Sequence, residues 1–176
     1  MEEGKLSKKD IKIVIAAHKP YRMPEDTMYV PLHVGAEGKK NPDGTPLDLG
    51  YQKDNEGDNI SAKNPYYCEL TGIYYAWKNI PAEYLGLVHY RRYFKGKNKS
   101  KDPFACIVTE PEMEKIFETH RIVVPKKRKY YIETLYSHYA HTHYAEHLDC
   151  VREIIGEQCP LSLIHISEPT RPLYIS

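Results

Sequence analysis

The chain has 176 residues, a formal net charge of +1 and 41% hydrophobic residues, which fits a folded domain with a real core rather than a disordered or fibrous protein. This near-neutral balance gives no overall attraction to nucleic acid, and no segment approaches the roughly 20 apolar residues that span a bilayer. The N-terminal residues 1–10 form a charged extension without the apolar stretch of a signal peptide. Four scattered cysteines without a CxxC pair indicate reduced thiols in a cytoplasmic protein.

The first third of the chain predicts a buried strand followed by irregular structure. Residues 12–17 (KIVIAA) are apolar and mostly β-branched, which predicts a buried strand. Residues 23–32 are bracketed by prolines and predict an irregular segment. Residues 35–51 are rich in Gly, Asn, Asp and Pro and predict a loop, with a turn at residues 41–44.

A long helix is predicted next. Asn64 is a favourable N-cap residue, Pro65 suits the first helical position, and Pro81 ends the pattern. Apolar residues then recur at helical spacing and predict one buried face. That face would consist of Tyr66, Leu70, Ile73, Tyr74 and Trp77.

The second half alternates predicted strands and helices. Residues 85–90 (LGLVHY) predict a buried strand, residues 110–120 a short helix, and residues 121–125 (RIVVP) a third strand. Two further helices are predicted over residues 132–140 and 144–155. This alternation predicts an α/β fold with a mainly parallel sheet.

Polar and aromatic side chains follow two of the predicted strands and precede the long helix. The segments are 18–21, 57–64 and 89–93, and in a parallel sheet they can converge at the carboxyl edge, where ligands bind. Arginines and lysines suit phosphates, an acid or amide suits a ribose, and an aromatic ring suits a base. The pattern therefore predicts a nucleotide diphosphate site. Its candidate residues are His18, Lys19, Tyr21, Asp58, Asn59, Asn64, His89, Tyr90, Arg91, Arg92 and Tyr93.

Simpler interpretations stay open for several of these residues. Helix capping alone explains Asp58 and Asn64, and solvation alone explains Arg91 and Arg92 at a strand end. Glu69 lies on the predicted helix, where it points either into the site or toward water.

A histidine cluster in the last third suggests a metal site. His143 and His147 are four residues apart and could share a helix face. No HExxH pattern or nearby constellation of carboxylates accompanies them or the neighbouring His138 and His141. The sequence therefore predicts no metal site here.

Three segments together resemble a known family. They are IKIVIAAHKPYRMPEDTMYVPLHVG, GDNISAKNPYYCELTGIYYAWKN and LGLVHYRRYF. In this order they resemble the bacterial domain of unknown function 4422 (DUF4422), across residues 11–160. That family occurs among capsular and exopolysaccharide synthesis proteins and is taken to be a glycosyltransferase with a GT-A-like fold.

The resemblance implies an α/β, GT-A-like fold: a mainly parallel sheet flanked by helices. It also implies transfer of a sugar from a nucleotide-sugar donor to a glycan or lipid-linked acceptor. The location would be cytoplasmic, with peripheral association at the inner face of the cell membrane as one option. The candidate residues above would then bind the donor.

Two departures from the family pattern affect the expected chemistry. GT-A enzymes usually hold Mn²⁺ or Mg²⁺ with an Asp-x-Asp motif after a central strand, and here His89-Tyr90-Arg91 takes that place. Arginines can neutralise a leaving diphosphate directly, so no cofactor is predicted, although a divalent metal stays open. Family members also continue beyond residue 160, so we expect this chain to lack the acceptor side and to be inactive alone. No catalytic residue is assigned.

Residues 161–176 (LSLIHISEPTRPLYIS) differ from what precedes them. They show no helical or strand period, contain two prolines, and resemble the translated read-through of a sequencing-adapter oligonucleotide. We therefore expect a partial glycosyltransferase domain over residues 11–160 and a spurious tail over residues 161–176.

The competing hypothesis is a non-catalytic nucleotide- or nucleic-acid-binding α/β domain. Basic and aromatic residues alternate at 91–101 and 126–131, as in some nucleic-acid binders. The neutral overall charge and the lack of a recognised module argue against a nucleic-acid partner.

Overall fold

The structure is a computed structural model that describes residues 8–126 and 132–161. The chain divides into two compact units, with the boundary after Pro125. Most of the N-terminal extension, most of the basic run 126–131 and all of the tail beyond Leu161 lie outside the described residues. Within the described residues, no helix is both long and apolar enough to cross a membrane.

A four-stranded parallel sheet forms the centre of the first unit as far as the structure describes it, with strand order β3-β2-β1-β4. Strand β1 (Ile11–Ala17) lies between β2 (Tyr29–His33) and β4 (Tyr84–His89), and the short β3 (Gln52–Lys53) extends the sheet beyond β2. Because every pair is parallel, the carboxyl ends of all four strands meet at one edge. The predicted strands at residues 12–17 and 85–90 are confirmed as β1 and β4.

Helices flank the sheet, and two more lie in the described part of the second unit. The first unit contains α1 (Asn64–Tyr67), α2 (Leu70–Asn79) and α3 (Glu110–Phe117), with 3-10 turns at Ser61–Lys63 and Pro103–Cys106. The second unit contains α4 (Leu135–Thr142) and α5 (Ala145–Gln158). The predicted helices at residues 110–120, 132–140 and 144–155 are confirmed, and so is the α/β class.

Two apolar clusters cover the two faces of β1. Ile11, Ile13 and Ile15 pack on the side of α3 and Met113. Val14 and Ala16 point to the other side and pack with Tyr75 and Ala76 of α2. Side chains alternate between the faces of a strand, so a strand buried on both faces reads as the continuous apolar run that predicted it.

The predicted apolar face of the long helix is wrong. Helix α2 buries Thr71, Gly72, Tyr75 and Ala76, whereas three residues expected inside are exposed: Tyr66 at 88%, Leu70 at 56% and Trp77 at 64%. Gly72 explains why this face of α2 is the buried one, because a Cβ at that position would lie only 2.8 Å from Cγ1 of Val34. The small residue lets the helix approach β2 more closely than an aromatic face could.

The helix is also interrupted. Asn64 is the first residue of α1 rather than its N-cap, which is Lys63. Cys68, at φ +48°, separates α1 from α2. The predicted single helix from residue 65 to residue 80 is therefore two helices with a sharp turn between them.

Two further strand predictions are wrong. The segment 23–32, expected to be irregular, contains most of β2, with Pro31 paired to Ile15. The Pro31 nitrogen faces the β3 side of β2, away from β1. On that side β3 pairs only with Leu32 and His33, so the N–H that Pro31 lacks would have made no sheet hydrogen bond.

Conversely, residues 121–125 form no strand. Ile122 and Val124 there are 79% and 73% exposed, because β-branched composition alone does not supply a pairing partner.

Candidate functional site

Aromatic rings gather around Tyr90, directly after β4 at the carboxyl edge of the sheet. Tyr90 is 1% exposed. The rings of His18 and Tyr21, which follow β1, each lie edge-on to it at 5.2 Å between centroids. The His89 ring lies 4.3 Å away. The segments after β1 and β4 therefore do converge at this edge.

Two cations lie over the same ring. Nζ of Lys19 is 5.7 Å and Cζ of Arg91 is 5.1 Å from the Tyr90 centroid, within the range of cation–π attraction. Among the described residues, neither side chain forms an ion pair with a carboxylate. Both positive charges are therefore available to an anionic ligand.

An open cavity of about 420 Å³ lies on one side of Tyr90, and we call it the aromatic groove. Tyr21, Arg91, Tyr93, Lys95 and Phe104 line it. Burial raises the pKa of the Tyr93 hydroxyl to about 12, so Tyr93 is neutral at physiological pH. The groove combines planar apolar faces with two positive charges.

The wall of the aromatic groove is held by an ion pair between two loops. Both guanidinium nitrogens of Arg22 donate to the Asp102 carboxylate, at 2.9 and 2.7 Å. The same guanidinium lies 4.4 Å over the Phe104 ring. This contact fixes the segment 102–106 against the segment that carries Tyr21.

A second cavity of about 260 Å³ lies beyond His89, and we call it the polar pocket. Its polar lining consists of His18, Lys39, Asn64, Cys68, Glu69 and His89. The backbone N–H of Arg91 donates to Nδ1 of His89 at 3.3 Å, and Nε2 lies 3.8 Å from Oε1 of Glu69. Burial lowers the pKa of His89 although Glu69 opposes the change. The lowered pKa favours the neutral ring at pH 7. Because Nδ1 accepts from the Arg91 N–H, the proton of the neutral ring lies on Nε2.

Asp54 builds the scaffold beneath the polar pocket. Its carboxylate is fully buried and accepts from the backbone N–H groups of Gly35 and Ala36, at 2.8 and 3.0 Å. It also accepts from the hydroxyls of Ser61 and Thr71, at 2.5 and 2.8 Å. One carboxylate thus ties the turn after β2 to the 3-10 turn and to α2.

The turn between α1 and α2 is held from the same scaffold. Nδ2 of Asn64 donates to the Cys68 carbonyl at 2.8 Å and to the Thr71 hydroxyl at 3.1 Å. Gly35, at φ +64°, lies so close to Asn64 that any Cβ would collide with that side chain. The sequence carries no motif for Asp54 or Gly35, because the partners of Asp54 are backbone groups and hydroxyls from separate segments.

Most of the sequence-predicted site residues surround these two cavities. His18, Asn64 and His89 line the polar pocket, and Tyr21, Tyr90, Arg91 and Tyr93 line the aromatic groove. Lys19 lies over Tyr90. Arg92 belongs to the turn after β4, where its N–H donates to the His89 carbonyl at 2.8 Å, and its side chain is exposed.

Asp58 and Asn59 lie away from both cavities. Asp58 accepts from the Tyr74 hydroxyl at 3.1 Å and lies 3.8 Å from Nζ of Lys78. Asn79 binds the backbone of Asp58, so this residue sits beside the last turns of α2, at the opposite end from the polar pocket. As far as the structure describes the chain, Asn59 hydrogen-bonds only within its own loop, to Gly57 and Ser61. The loop runs back along α2, which explains why these residues do not join the site.

The predicted pair His143 and His147 does not share a helix face. His143 is the residue that ends α4, whereas His147 belongs to α5. Glu133 accepts from Nδ1 of His138 and of His141, at 3.1 and 2.9 Å, which holds the pKa of Glu133 below its usual range. Within the described residues, no group of three or more potential ligands is arranged to hold a metal ion.

The family model described as "Domain of unknown function (DUF4422)" matches residues 12–170. The chain belongs to the DUF4422 family. The match also runs past residue 160, where we placed the domain boundary.

One solved structure resembles this member of DUF4422 closely. The apo structure of the bifunctional glycosyltransferase WbbM superposes with a TM-score of 0.71 at 29% sequence identity, covering 86% of this chain. The DUF4422 chain spans 30% of the WbbM chain. No curated protein matches this chain. The likeness confirms the glycosyltransferase-like α/β fold.

Proposed function

We propose that this chain is the donor-binding part of a glycosyltransferase. It would transfer a sugar from a nucleotide-sugar donor to a glycan or lipid-linked acceptor in capsular or exopolysaccharide synthesis, in the cytoplasm. The observation that carries the proposal is the convergence of rings and cations on Tyr90, between two cavities at the carboxyl edge of a parallel sheet. Membership of DUF4422 and the likeness to WbbM support transferase chemistry.

The chemistry of this edge suits a nucleotide-sugar donor. When the bond between the donor's sugar and its diphosphate breaks, negative charge develops on the leaving diphosphate. Fixed positive charge stabilises this negative charge and so lowers the barrier to breaking the bond. Lys19, Arg91 and Arg92 supply such charge, and a guanidinium can bind two phosphate oxygens at once. Tyr21 and Tyr93 offer faces against which a base can stack. This set of residues would take the role that a divalent metal plays in many related enzymes.

Nucleotide binding by this chain tests the proposal. We would titrate UDP, GDP and dTDP, in EDTA, into the wild type, Arg91→Ala and Arg92→Ala by calorimetry. Loss of a charge-assisted hydrogen bond should weaken binding about tenfold or more in at least one variant. Arg152→Ala, an exposed arginine on α5, is the matched control and should bind as the wild type does.

Two results would count against this account. If neither arginine variant weakens binding, the diphosphate lies elsewhere. If binding requires a divalent cation, the arginines do not replace the metal. Transfer itself is tested in a full-length DUF4422 protein with the matched substitutions, where donor binding without turnover would favour the non-catalytic alternative.

A further inference from the structure

We infer that the polar pocket receives the sugar ring of the donor, and that the Glu69 carboxylate, together with His89, recognises its hydroxyls. The inference rests on the proposed function and assigns the two cavities to different parts of the same ligand. The nucleotide would lie toward the aromatic groove, with the diphosphate beside Arg91 and Lys19.

The position of Glu69 is not explained by helix capping. Glu69 occupies the N-cap position of α2, yet its side chain makes no capping hydrogen bond. Its Oε1 instead faces Nε2 of His89 across the polar pocket, and the side chain is 48% exposed. The carboxylate therefore keeps free acceptor capacity inside the cavity.

The gap between Glu69 and His89 fits a hydroxyl group. The two atoms are 3.8 Å apart, which is too long for a direct hydrogen bond. Because Nδ1 of His89 already accepts from Arg91, Nε2–H is a donor, while the carboxylate oxygen is an acceptor. A sugar hydroxyl both donates and accepts, so one hydroxyl can bridge the two groups.

Charge and shape assign the sugar, rather than the nucleotide, to this pocket. A carboxylate repels a phosphate at close range, so Glu69 disfavours the diphosphate there. The aromatic groove offers Tyr21, Tyr93 and Phe104 for stacking, whereas the polar pocket offers imidazole, amide, ammonium and carboxylate groups. An uncharged polyol needs mixed donors and acceptors, and a base needs planar faces.

The backbone that carries Glu69 is held in place before any ligand binds. Cys68, at φ +48°, turns the chain so that Glu69 opens α2 at the rim of the pocket. The Cys68 carbonyl accepts from Nδ2 of Asn64 at 2.8 Å. Such fixed geometry is what selective recognition of a hydroxyl requires.

A comparison of two ligands tests the inference. Calorimetry would measure, for each variant, the affinity for the nucleoside diphosphate that binds best and for its glucose and galactose derivatives. In Glu69→Gln the affinity for a nucleotide sugar should fall about tenfold, because a charged acceptor is lost, while the affinity for the diphosphate alone should not fall. Glu69→Asp, which keeps the charge but shortens its reach, should show the same selective loss. Glu118→Gln, an exposed carboxylate at the end of α3, should change neither affinity.

Donors that lack single hydroxyls locate the contact. For one deoxy-sugar donor, the affinity of the wild type should be about as low as the affinity of Glu69→Gln for the parent donor. Glu69→Gln should bind that same deoxy-sugar donor as well as the wild type does, because the contact is already lost. Equal effects on both ligands, or no effect on either, would overturn the assignment of Glu69 while leaving the proposed function intact. Failure of the wild type to bind any nucleoside diphosphate would instead overturn the proposed function, and this inference with it.

Discussion

Asp54→Asn should remove much of the stability of the first unit. In the wild type, one carboxylate oxygen accepts from Gly35 N–H and the Thr71 hydroxyl, and the other accepts from Ala36 N–H and the Ser61 hydroxyl. An amide group replaces one of these oxygens by a donor, so two of the four donors lose their acceptor. Hydrogen bonds to charged groups contribute about 1.5–3 kcal/mol each, so the expected loss is about 3–6 kcal/mol. That is a large share of the roughly 5–15 kcal/mol that stabilises a typical domain.

Urea unfolding followed by far-UV circular dichroism measures this loss. The matched control is Asp43→Asn, because Asp43 accepts from the N–H and the hydroxyl of Thr45 in an exposed turn. An amide oxygen can replace it there, so the control should stay within about 0.5 kcal/mol of the wild type. If Asp54→Asn costs less than about 1 kcal/mol, the buried carboxylate does not hold the scaffold as argued here.

Three further predictions concern stability. Gly35→Ala should destabilise the chain by about 2 kcal/mol, because a Cβ is disfavoured at positive φ and would displace Asn64; unchanged urea unfolding would show that the turn relaxes freely. Burial lowers the pKa of His33 and of His89, so the unfolded chain binds more protons below about pH 6.5 and stability should fall from pH 7 to pH 5. His33→Gln should flatten that pH dependence in urea titrations, and an unchanged slope would assign it to other groups. Deletion of residues 161–176 should change the free energy of unfolding by no more than about 0.5 kcal/mol, whereas a clear drop in melting temperature would mean that the domain extends through the tail.

The sequence was sufficient for the parts of the fold with simple periodicity. Strands β1 and β4 are continuous apolar runs because both faces of the sheet are covered. Polar groups directly after such runs were correctly expected at one edge, since parallel strands end on the same side. His18, Tyr21 and Tyr90 meet there for that reason.

Other features depend on tertiary packing that no local pattern records. The aromatic stripe of α2 has helical spacing, but Gly72 fits closely against Leu32 and Val34, and so the face with Gly72 and Ala76 is the buried one. Pro31 suggested irregular structure, yet its nitrogen faces a side of β2 without a partner at that point. Asp54 needs donors from three segments that are distant in sequence.

Hydrogen–deuterium exchange with and without a bound nucleotide sugar tests the central claim most directly, because it locates the ligand without assuming which residue binds it. The claim is that the donor lies at the carboxyl edge of the sheet, on both sides of Tyr90. We expect slower exchange in segments 16–21, 64–71 and 89–95, and unchanged exchange in α5 (Ala145–Gln158). Protection confined to the amino edge of the sheet, near Asp10 and Glu83, or to the second unit, would contradict the claim.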